Sequence, residues 1–478
     1  MIFSLTSLEF LPFLGLCVVL IYGIRNVPAQ KWLLLLFSYL FYLTFGVVGV
    51  LVVTLIAFVD FHVACRLGVS VDSAGRKRWL WASLAVNLGA LAFFKYSGFL
   101  AEIVAPGLRR LGVHVSVPRG PLLLVGLSYF TFASMSYVLD VYYEKLEPTQ
   151  SLSEYVCYLV YFPKLIAGPI VRAAELLPQL RRGVPISAQD FETGCLYLLV
   201  GAVKKLVIAD QLAGHVGMIL AAPQHYNAAT LVQGMIGYTV QIYADFSGYS
   251  DMAIGCARLM GFRFPQNFQM PYSAVNIAEF WRRWHMTMSG WFRDYVFLPL
   301  EMGSRRVRNI HLRASRNIVI TMLLVGLWHG SSWNFVLWGG LHGAALAIYQ
   351  FYAGMRRRVP WAKRSALHPA MLAARALTLS VVMAGWVLFG SQTLSLAFTY
   401  LWRMVTWRQD GTALGSPYIL PLTALVVLVH LFVDKDSNLI EELPTLSIGA
   451  RTFSYASLLV ILGCFVPSDT MPFAYMRF

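Results

Sequence analysis

Apolar runs long enough to cross a lipid bilayer recur along the whole chain, and they limit its fold more strongly than any other feature. A helix needs about 20 mostly apolar residues to span a hydrocarbon core of about 30 Å. Hydrophobic residues make up 58% of the 478 residues and charged residues only 13%, a balance that excludes an ordinary soluble domain. The sequence therefore predicts an all-α, polytopic transmembrane helical bundle, folded as a single integral-membrane domain over residues 1–478.

The number of apolar segments indicates about 11–13 spans, some of them broken or re-entrant. The predicted helical segments cover residues 8–25, 31–45, 47–66, 79–100, 121–141, 153–170, 190–212, 229–245, 317–329, 333–354, 371–390, 416–433 and 453–467.

Three stretches do not fit a simple span. Residues 161–180 carry three prolines, which predict a broken helix, and residues 245–272 mix Asp245 and Asp251 with apolar side chains. We expect these two carboxylates to pair with arginines such as Arg258 or with backbone groups. Residues 276–300 are amphipathic and rich in tryptophan and arginine. Irregular backbone at membrane depth is tolerated where it is buried in protein or lines a wet cavity, so these stretches predict a central cavity.

The net charge of +15 fits a membrane protein rather than a nucleic-acid-binding protein, because lysine and arginine lie between apolar segments. The basic stretches 303–316 and 356–364 predict cytoplasmic loops. The first apolar segment lacks a basic start and a small-residue cleavage site, so we expect a retained helix with an external N-terminus. Six cysteines lie far apart, form no CxxC pair and are interpreted as small hydrophobic residues.

His329 lies in "VGLWHGSSWNFVLWGGLHG" (325–343), one of the most apolar stretches of the chain. Burying its imidazole without partners costs several kcal/mol, so its presence needs a reason. From Asn317 to His329 a helix rises about 20 Å and then breaks at "WHGSSWN", which predicts a deep histidine beside a cavity. Two interpretations stay open: a reactive group, or a hydrogen-bonding link between helices.

His285, in "RRWHMTMS", is a second candidate, although it also fits an interfacial anchor. We interpret His342 as a packing residue and His311 as a loop residue. No histidine pair has the spacing of metal ligands, so no metal site is predicted. The chain also lacks a GxSxG elbow, a P-loop and a GxGxxG motif.

Several long motifs resemble those of the membrane-bound O-acyltransferases, in the same order along the chain. The resemblance is strongest to the bacterial branch that includes the membrane component of alginate O-acetylation and its relative in D-alanyl transfer to teichoic acid. It covers about residues 30–350 and the C-terminal tail, with core motifs between 90 and 350. The matching motifs are "FFKYSGF", "LSYFTFASMSYVLDVYYEKLEP", "YFPKLIAGPIVR", "QIYADFSGYSDMAIGCARLMGF", "PQNFQMPYSAVNIAEFWRRWHMTMSGWFRDYVFLPL", "VGLWHGSSWNFVLWGGLHG" and "PFAYMRF".

The resemblance implies a central tunnel or paired funnels, an essential histidine at His329 and a second functional histidine at His285. It also implies an acyltransferase of the bacterial inner membrane that moves acetyl groups for O-acetylation of an exopolysaccharide. We expect acetyl-CoA as the donor substrate, no bound cofactor, and an extracytoplasmic partner protein that modifies the sugar.

Neighbouring residues extend this hypothesis. Trp328, Ser331 and Asn334 are candidates to orient His329 or to support an oxyanion, on adjacency alone. Arg282 and Arg283 are candidates to attract the phosphates of the donor, although topology and lipid contact explain them equally well.

Three alternatives to acetyl transfer follow from the same residues. D-alanyl or other acyl transfer from a carrier protein to a cell-envelope polymer is the nearest. A small-solute transporter would use His329 as a proton relay, and a structural scaffold would need it only for stability.

Overall fold

The structure, a computed structural model, describes residues 5–110, 124–183, 187–303, 309–355, 369–433 and 437–466. Within these ranges every extended element is helical, and β structure is limited to one isolated bridge between Tyr226 and Thr412. The predicted all-α fold is confirmed. The predicted single domain stays a prediction, because the chain divides into two compact units that are described separately.

The first unit consists of Met1–Leu198 and Tyr249–Pro265. A π-helical turn, Ala92–Tyr96, joins its fourth and fifth helices. Its helices are α1 (Phe10–Gly23), α2 (Val27–Leu43), α3 (Val47–Val69), α4 (Ser73–Leu91), α5 (Ser97–Arg110), α6 (Leu127–Tyr142), α7 (Leu152–Val160), α8 (Phe162–Leu165), α9 (Ala173–Arg182) and most of α10 (Ala188–Ala202).

The second unit consists of Leu199–Gly248 and Gln266–Phe478. Helix α12 begins in this unit and ends in residues assigned to the first unit. The helices are α11 (Asp210–Ala221), α12 (Ala228–Leu259), α13 (Ile277–Arg283), α14 (Met286–Phe292), α15 (Leu298–Gly303), α16 (Ile310–His329), α17 (Trp333–Met355), α18 (Pro369–Gly390), α19 (Leu394–Val405), α20 (Ile419–Phe432), α21 (Leu439–Glu442) and α22 (Ile448–Phe465).

Several helices have the length and composition of membrane spans. Among the described residues, five are long and apolar enough to cross a bilayer, and three more are apolar but shorter. Helix α3 shows the pattern: Leu51 and Leu55 expose 63% and 59% of their surface, as expected for side chains that face lipid. The five are Val47–Val69, Ser73–Arg110, Ile310–His329, Pro369–Gly390 and Ile448–Phe465.

Helix α12 corrects one sequence expectation. The span predicted to end near residue 245 continues as a helix to Leu259. Asp245 does not interrupt it, because Lys205 Nζ lies 2.8 Å from its carboxylate and both side chains are at most 4% exposed. Gly248 lets the backbone of this helix approach closely, since a Cβ there would lie 2.7 Å from the Gly201 carbonyl oxygen.

Asp245 forms an ion pair, but with a lysine and not with the named Arg258. Arg258 Nε lies 3.4 Å from Asp190 Oδ1 instead, and this pair belongs to the first unit. Lys205 Nζ is shared between Asp245 and Asp210, at 2.8 Å from each carboxylate. Lys205 lies in a second π-helical turn, Val203–Ala209. Spacing along the sequence does not show that this turn packs against α12, so the sequence analysis did not name Lys205 as a partner.

The start of α16 corrects another expectation. The sequence predicted a loop over residues 303–316, whereas the helix already begins at Ile310. The Asn309 side chain accepts hydrogen bonds from the backbone N–H of His311 and Leu312, at 3.0 and 3.1 Å, and so caps the helix. His311, predicted as a loop residue, is therefore an exposed residue of the first helical turn.

Some predictions fall outside the described residues. They concern the arginines at 305, 306 and 308, the basic stretch 356–364 and the C-terminal motif "PFAYMRF".

Candidate active site

The helical hairpin that carries His329 is built on glycine contacts within the second unit. A Cβ on Gly326 would collide with the Phe335 carbonyl oxygen, and a Cβ on Gly339 would collide with the Met322 carbonyl oxygen. Helices α16 and α17 therefore pack backbone to backbone, as small residues allow in membrane proteins. This explains why glycine stands at positions 326 and 339 of the motif.

His329 is the last residue of α16, as the predicted break requires, and α17 begins at Trp333. Its side chain is buried, with 4% exposure. The imidazole centroid lies 4.9 Å from the Trp338 ring and 5.2 Å from the Phe389 ring, both edge to face. The ring is thus held in one orientation by aromatic packing, which a positioned catalytic group requires.

Trp328 brings the two predicted histidines together. Its ring centroid lies 4.9 Å from that of His329 and 5.8 Å from that of His285, and all three side chains are at most 4% exposed. Sequence reasoning proposed each of these residues separately and contained no signal for their proximity. Two buried imidazoles therefore lie on one indole.

The backbone at His285 has a strained conformation. Its φ of +42° lies in the left-handed region, which costs a non-glycine residue roughly 1–3 kcal/mol. Asn267 holds this conformation: its carbonyl accepts from Met286 N at 2.9 Å, and its Oδ1 accepts from Thr287 Oγ1 at 2.9 Å. Such strain persists where the surroundings over-determine it, often at functional sites.

Asn267 also sets the tautomer of His285. Nδ1 of His285 lies 3.0 Å from Asn267 Oδ1, an oxygen that already accepts from Thr287. We assign the ring proton to Nδ1, which donates to this oxygen and leaves the lone pair on Nε2. The sequence analysis did not select Asn267. The one feature that could have indicated it is a polar side chain in a loop between long apolar helices.

The two arginines before His285 differ. Arg282 is exposed, as a role in attracting phosphates requires. Arg283 is 8% exposed, lies 3.2 Å from Glu279 Oε1, and donates to the Gln269 carbonyl at 3.2 Å. Arg283 therefore braces the loop that contains Asn267, while Arg282 carries a charge at the surface.

Ser331 lies on the connection between α16 and α17, and Asn334 lies in the first turn of α17. The Asn334 side chain is buried and donates to the carbonyls of Ser391 at 2.7 Å and Leu388 at 3.3 Å. Both amide hydrogens are thereby engaged at the end of α18, so Asn334 holds the hairpin in place. Ser331 is partly exposed beside the break.

Two further buried imidazoles lie in the second unit. His342 is fully buried and contacts Trp338 at 4.9 Å, which agrees with its interpretation as a packing residue. His430, which sequence reasoning did not select, contacts Tyr243 at 5.0 Å, and its Nδ1 lies 2.8 Å from the Val426 carbonyl. In the part of the chain that the structure describes, no three His, Cys, Asp or Glu side chains are grouped as metal ligands.

Comparison with known proteins gives consistent matches. The family model described as "MBOAT, membrane-bound O-acyltransferase family" matches residues 123–391, which include both predicted histidines, His285 and His329. The chain is 36% identical to a probable alginate O-acetylase of Azotobacter vinelandii, over 83% of this chain and 75% of that protein. It is 32% identical to a peptidoglycan O-acetyltransferase of Helicobacter pylori, over 83% and 78% of the two chains. Identity to a teichoic acid D-alanyltransferase of Bacillus subtilis is 28%, over 51% and 63%.

Proposed function

Since this chain belongs to the membrane-bound O-acyltransferase family, we propose that it carries acetyl groups across the inner membrane for O-acetylation of an exopolysaccharide. Acetyl-CoA on the cytoplasmic side is the donor, and an extracytoplasmic partner protein modifies the sugar. The similarity to probable alginate O-acetylases over most of the chain supports this substrate class. The observation that carries the proposal is the pair of buried imidazoles, His329 and His285, which both contact the Trp328 ring.

The proposed chemistry is acyl transfer from a thioester to a hydroxyl. His329 accepts the proton of the attacking hydroxyl as its oxygen bonds to the acetyl carbon. The bond between that carbon and the sulfur breaks, and the CoA thiolate leaves and takes up a proton. His285, whose Nδ1 is engaged by Asn267, presents Nε2 as a second basic nitrogen on the approach of the donor. Arg282, at the surface, attracts the donor phosphates.

The experiment is acetyl transfer from labelled acetyl-CoA in membranes that contain this chain and the products of its neighbouring genes. We expect His329→Ala to lower transfer by roughly 10²- to 10⁴-fold at matched protein level, as expected for loss of a general base. His311→Ala is the matched control, because His311 is exposed on the first turn of the same helix. Its transfer should equal that of the wild type.

Other outcomes would redirect the assignment. Full transfer by His329→Ala would remove the general-base role from His329 and leave His285 as the candidate. Loss of activity in proportion to loss of protein would support a structural scaffold. Solute uptake into vesicles without any acyl donor would support a transporter.

A second candidate function is D-alanyl transfer from a carrier protein. The similarity to teichoic acid D-alanyltransferases supports it, although it covers only about half of this chain. Wild-type membranes that fail with acetyl-CoA but transfer a label from a charged carrier protein would decide for this candidate. The same His329→Ala variant then tests whether the site is shared.

A further inference from the structure

The proline-rich segment "YFPKLIAGPIVR" (161–172) interrupts the helices of the first unit. After α7 a single helical turn, α8, is followed by non-helical backbone over residues 166–172, up to the start of α9. Pro169 lacks an N–H and restricts the residue before it, which explains why no helix forms here. Irregular backbone at membrane depth needs protein partners or a polar cavity.

Lys164 lies in the middle of this segment and is a buried cation. The residue is 5% exposed, and its Nζ lies 3.9 Å from the centroid of the Tyr158 ring. Within the described ranges, no carboxylate lies within ion-pair distance of Nζ and no acceptor within hydrogen-bond distance. A desolvated cation–π contact contributes about 2 kcal/mol, whereas removing an ammonium group from water costs several kcal/mol. The contact with the Tyr158 ring is therefore too weak to offset the free-energy cost of burying the Lys164 ammonium group.

A small cavity adjoins Lys164, entirely within the first unit. Its volume of about 10 Å³ has room for one occupant about the size of a water molecule. One side is formed by Lys164, Tyr129 and the non-helical residues 169–171. The remaining wall is apolar and consists of Phe130, Ala133, Leu159 and Leu165.

We propose that this cavity binds one small anion, with chloride as the ligand, and that Lys164 supplies the opposite charge. Chloride is monatomic and accepts contacts from any direction, so it suits a small cavity with a single cation and an apolar wall. Carboxylate and phosphate groups carry several oxygens and exceed the space for one occupant. The bound anion neutralises the ammonium group where no side chain does, and it ties the broken segment to α7. This site is independent of the proposed acyl transfer.

The test is thermal unfolding of the purified full chain in sodium chloride and in sodium gluconate at equal ionic strength. A ligand that binds only the folded state raises stability with the logarithm of its concentration, whereas gluconate is too large for the cavity. We expect the wild-type midpoint to rise with chloride alone. Lys164→Met should lose this dependence and unfold at the same temperature in both salts. Lys77→Met removes an exposed lysine of the same unit and should keep the chloride response of the wild type.

Two results would overturn the proposal. One is a wild-type midpoint that is equal in chloride and gluconate, and the other is a Lys164→Met protein that keeps the chloride response. If Lys164→Met does not fold, crystals of the wild-type protein grown in bromide give a second test. An anomalous bromide peak beside Lys164 Nζ supports the site, and a map without such a peak rejects it.

Discussion

At the scale of single residues, the site depends on how each imidazole is oriented as much as on its presence. His329 packs edge to face against the Trp338 and Phe389 rings, whereas His285 is fixed by a hydrogen bond to Asn267 and by strained backbone. We therefore expect the two histidines to respond differently to substitutions of their neighbours. Substitutions around His285 should act through the position of its ring and the location of its proton.

Asn267 offers the sharpest test of this point. Asn267→Ala removes the acceptor for His285 Nδ1 and for Thr287, so we expect transfer to fall about tenfold, the value of one lost hydrogen bond of about 1.4 kcal/mol. Asn267→Asp keeps an oxygen acceptor in the same place and should retain more activity than the alanine variant. The measurement is kcat and KM for acetyl transfer at matched protein level.

The Asn267 variants also separate orientation from folding. If the alanine and aspartate variants lose activity equally, with equal losses of thermal stability, the role of Asn267 is structural. A fall in kcat with unchanged stability, partly restored by aspartate, supports control of the His285 tautomer.

At the scale of helices, the α16–α17 hairpin sets where His329 lies. Gly339 and Gly340 are neighbours on α17, yet only Gly339 faces the backbone of α16: a Cβ on Gly340 would meet a single Leu323 methyl carbon at an ordinary 3.6 Å. Gly339→Ala forces its methyl group against the Met322 carbonyl, and we expect a loss of about 1–3 kcal/mol of stability and lower transfer.

Gly340→Ala is the control for that prediction. Alanine favours a helix over glycine by about 1 kcal/mol, so this variant should be as stable as the wild type or more so. Thermal unfolding of both variants, together with transfer activity, checks the pair. Equal stability of the two alanine variants would show that α16 and α17 are not packed backbone to backbone.

At the scale of the whole chain, the sequence alone predicted the helical fold and most helix positions. The recurring apolar runs required helices, and the "WHGSSWN" break was placed at His329, where α16 ends. The predicted span ended near residue 245, before α12 ends, because the sequence shows that Asp245 is charged but does not show that Lys205 neutralises it. Likewise, Trp328 was selected for its position beside His329, and its contact with His285 depends on tertiary packing.

The stability of the first unit should depend on pH through Glu154. This residue lies in the first turn of α7, a nine-residue helix that is too short to span a membrane. Its carboxylate lies 2.9 Å from Lys31 Nζ on α2 and 3.0 Å from Arg181 Nε on α9. Burial alone would raise the pKa of Glu154, but hydrogen bonds from Lys31 and then Arg181 outweigh it, and the pKa lies below its ordinary value.

A lowered pKa in the folded state fixes the direction of the pH effect. The stabilisation is complete above the unfolded-state pKa of about 4.3 and is lost as pH falls through the lower folded-state value. We therefore expect Glu154→Gln to unfold at a lower temperature than the wild type at pH 7, with a difference that shrinks as the pH falls below about 4. Glu147→Gln is the control, because Glu147 is exposed. Its unfolding temperature should equal that of the wild type at every pH. A Glu154→Gln deficit that is constant from pH 7 to acid would show that packing, and not the ion pairs, joins these three helices.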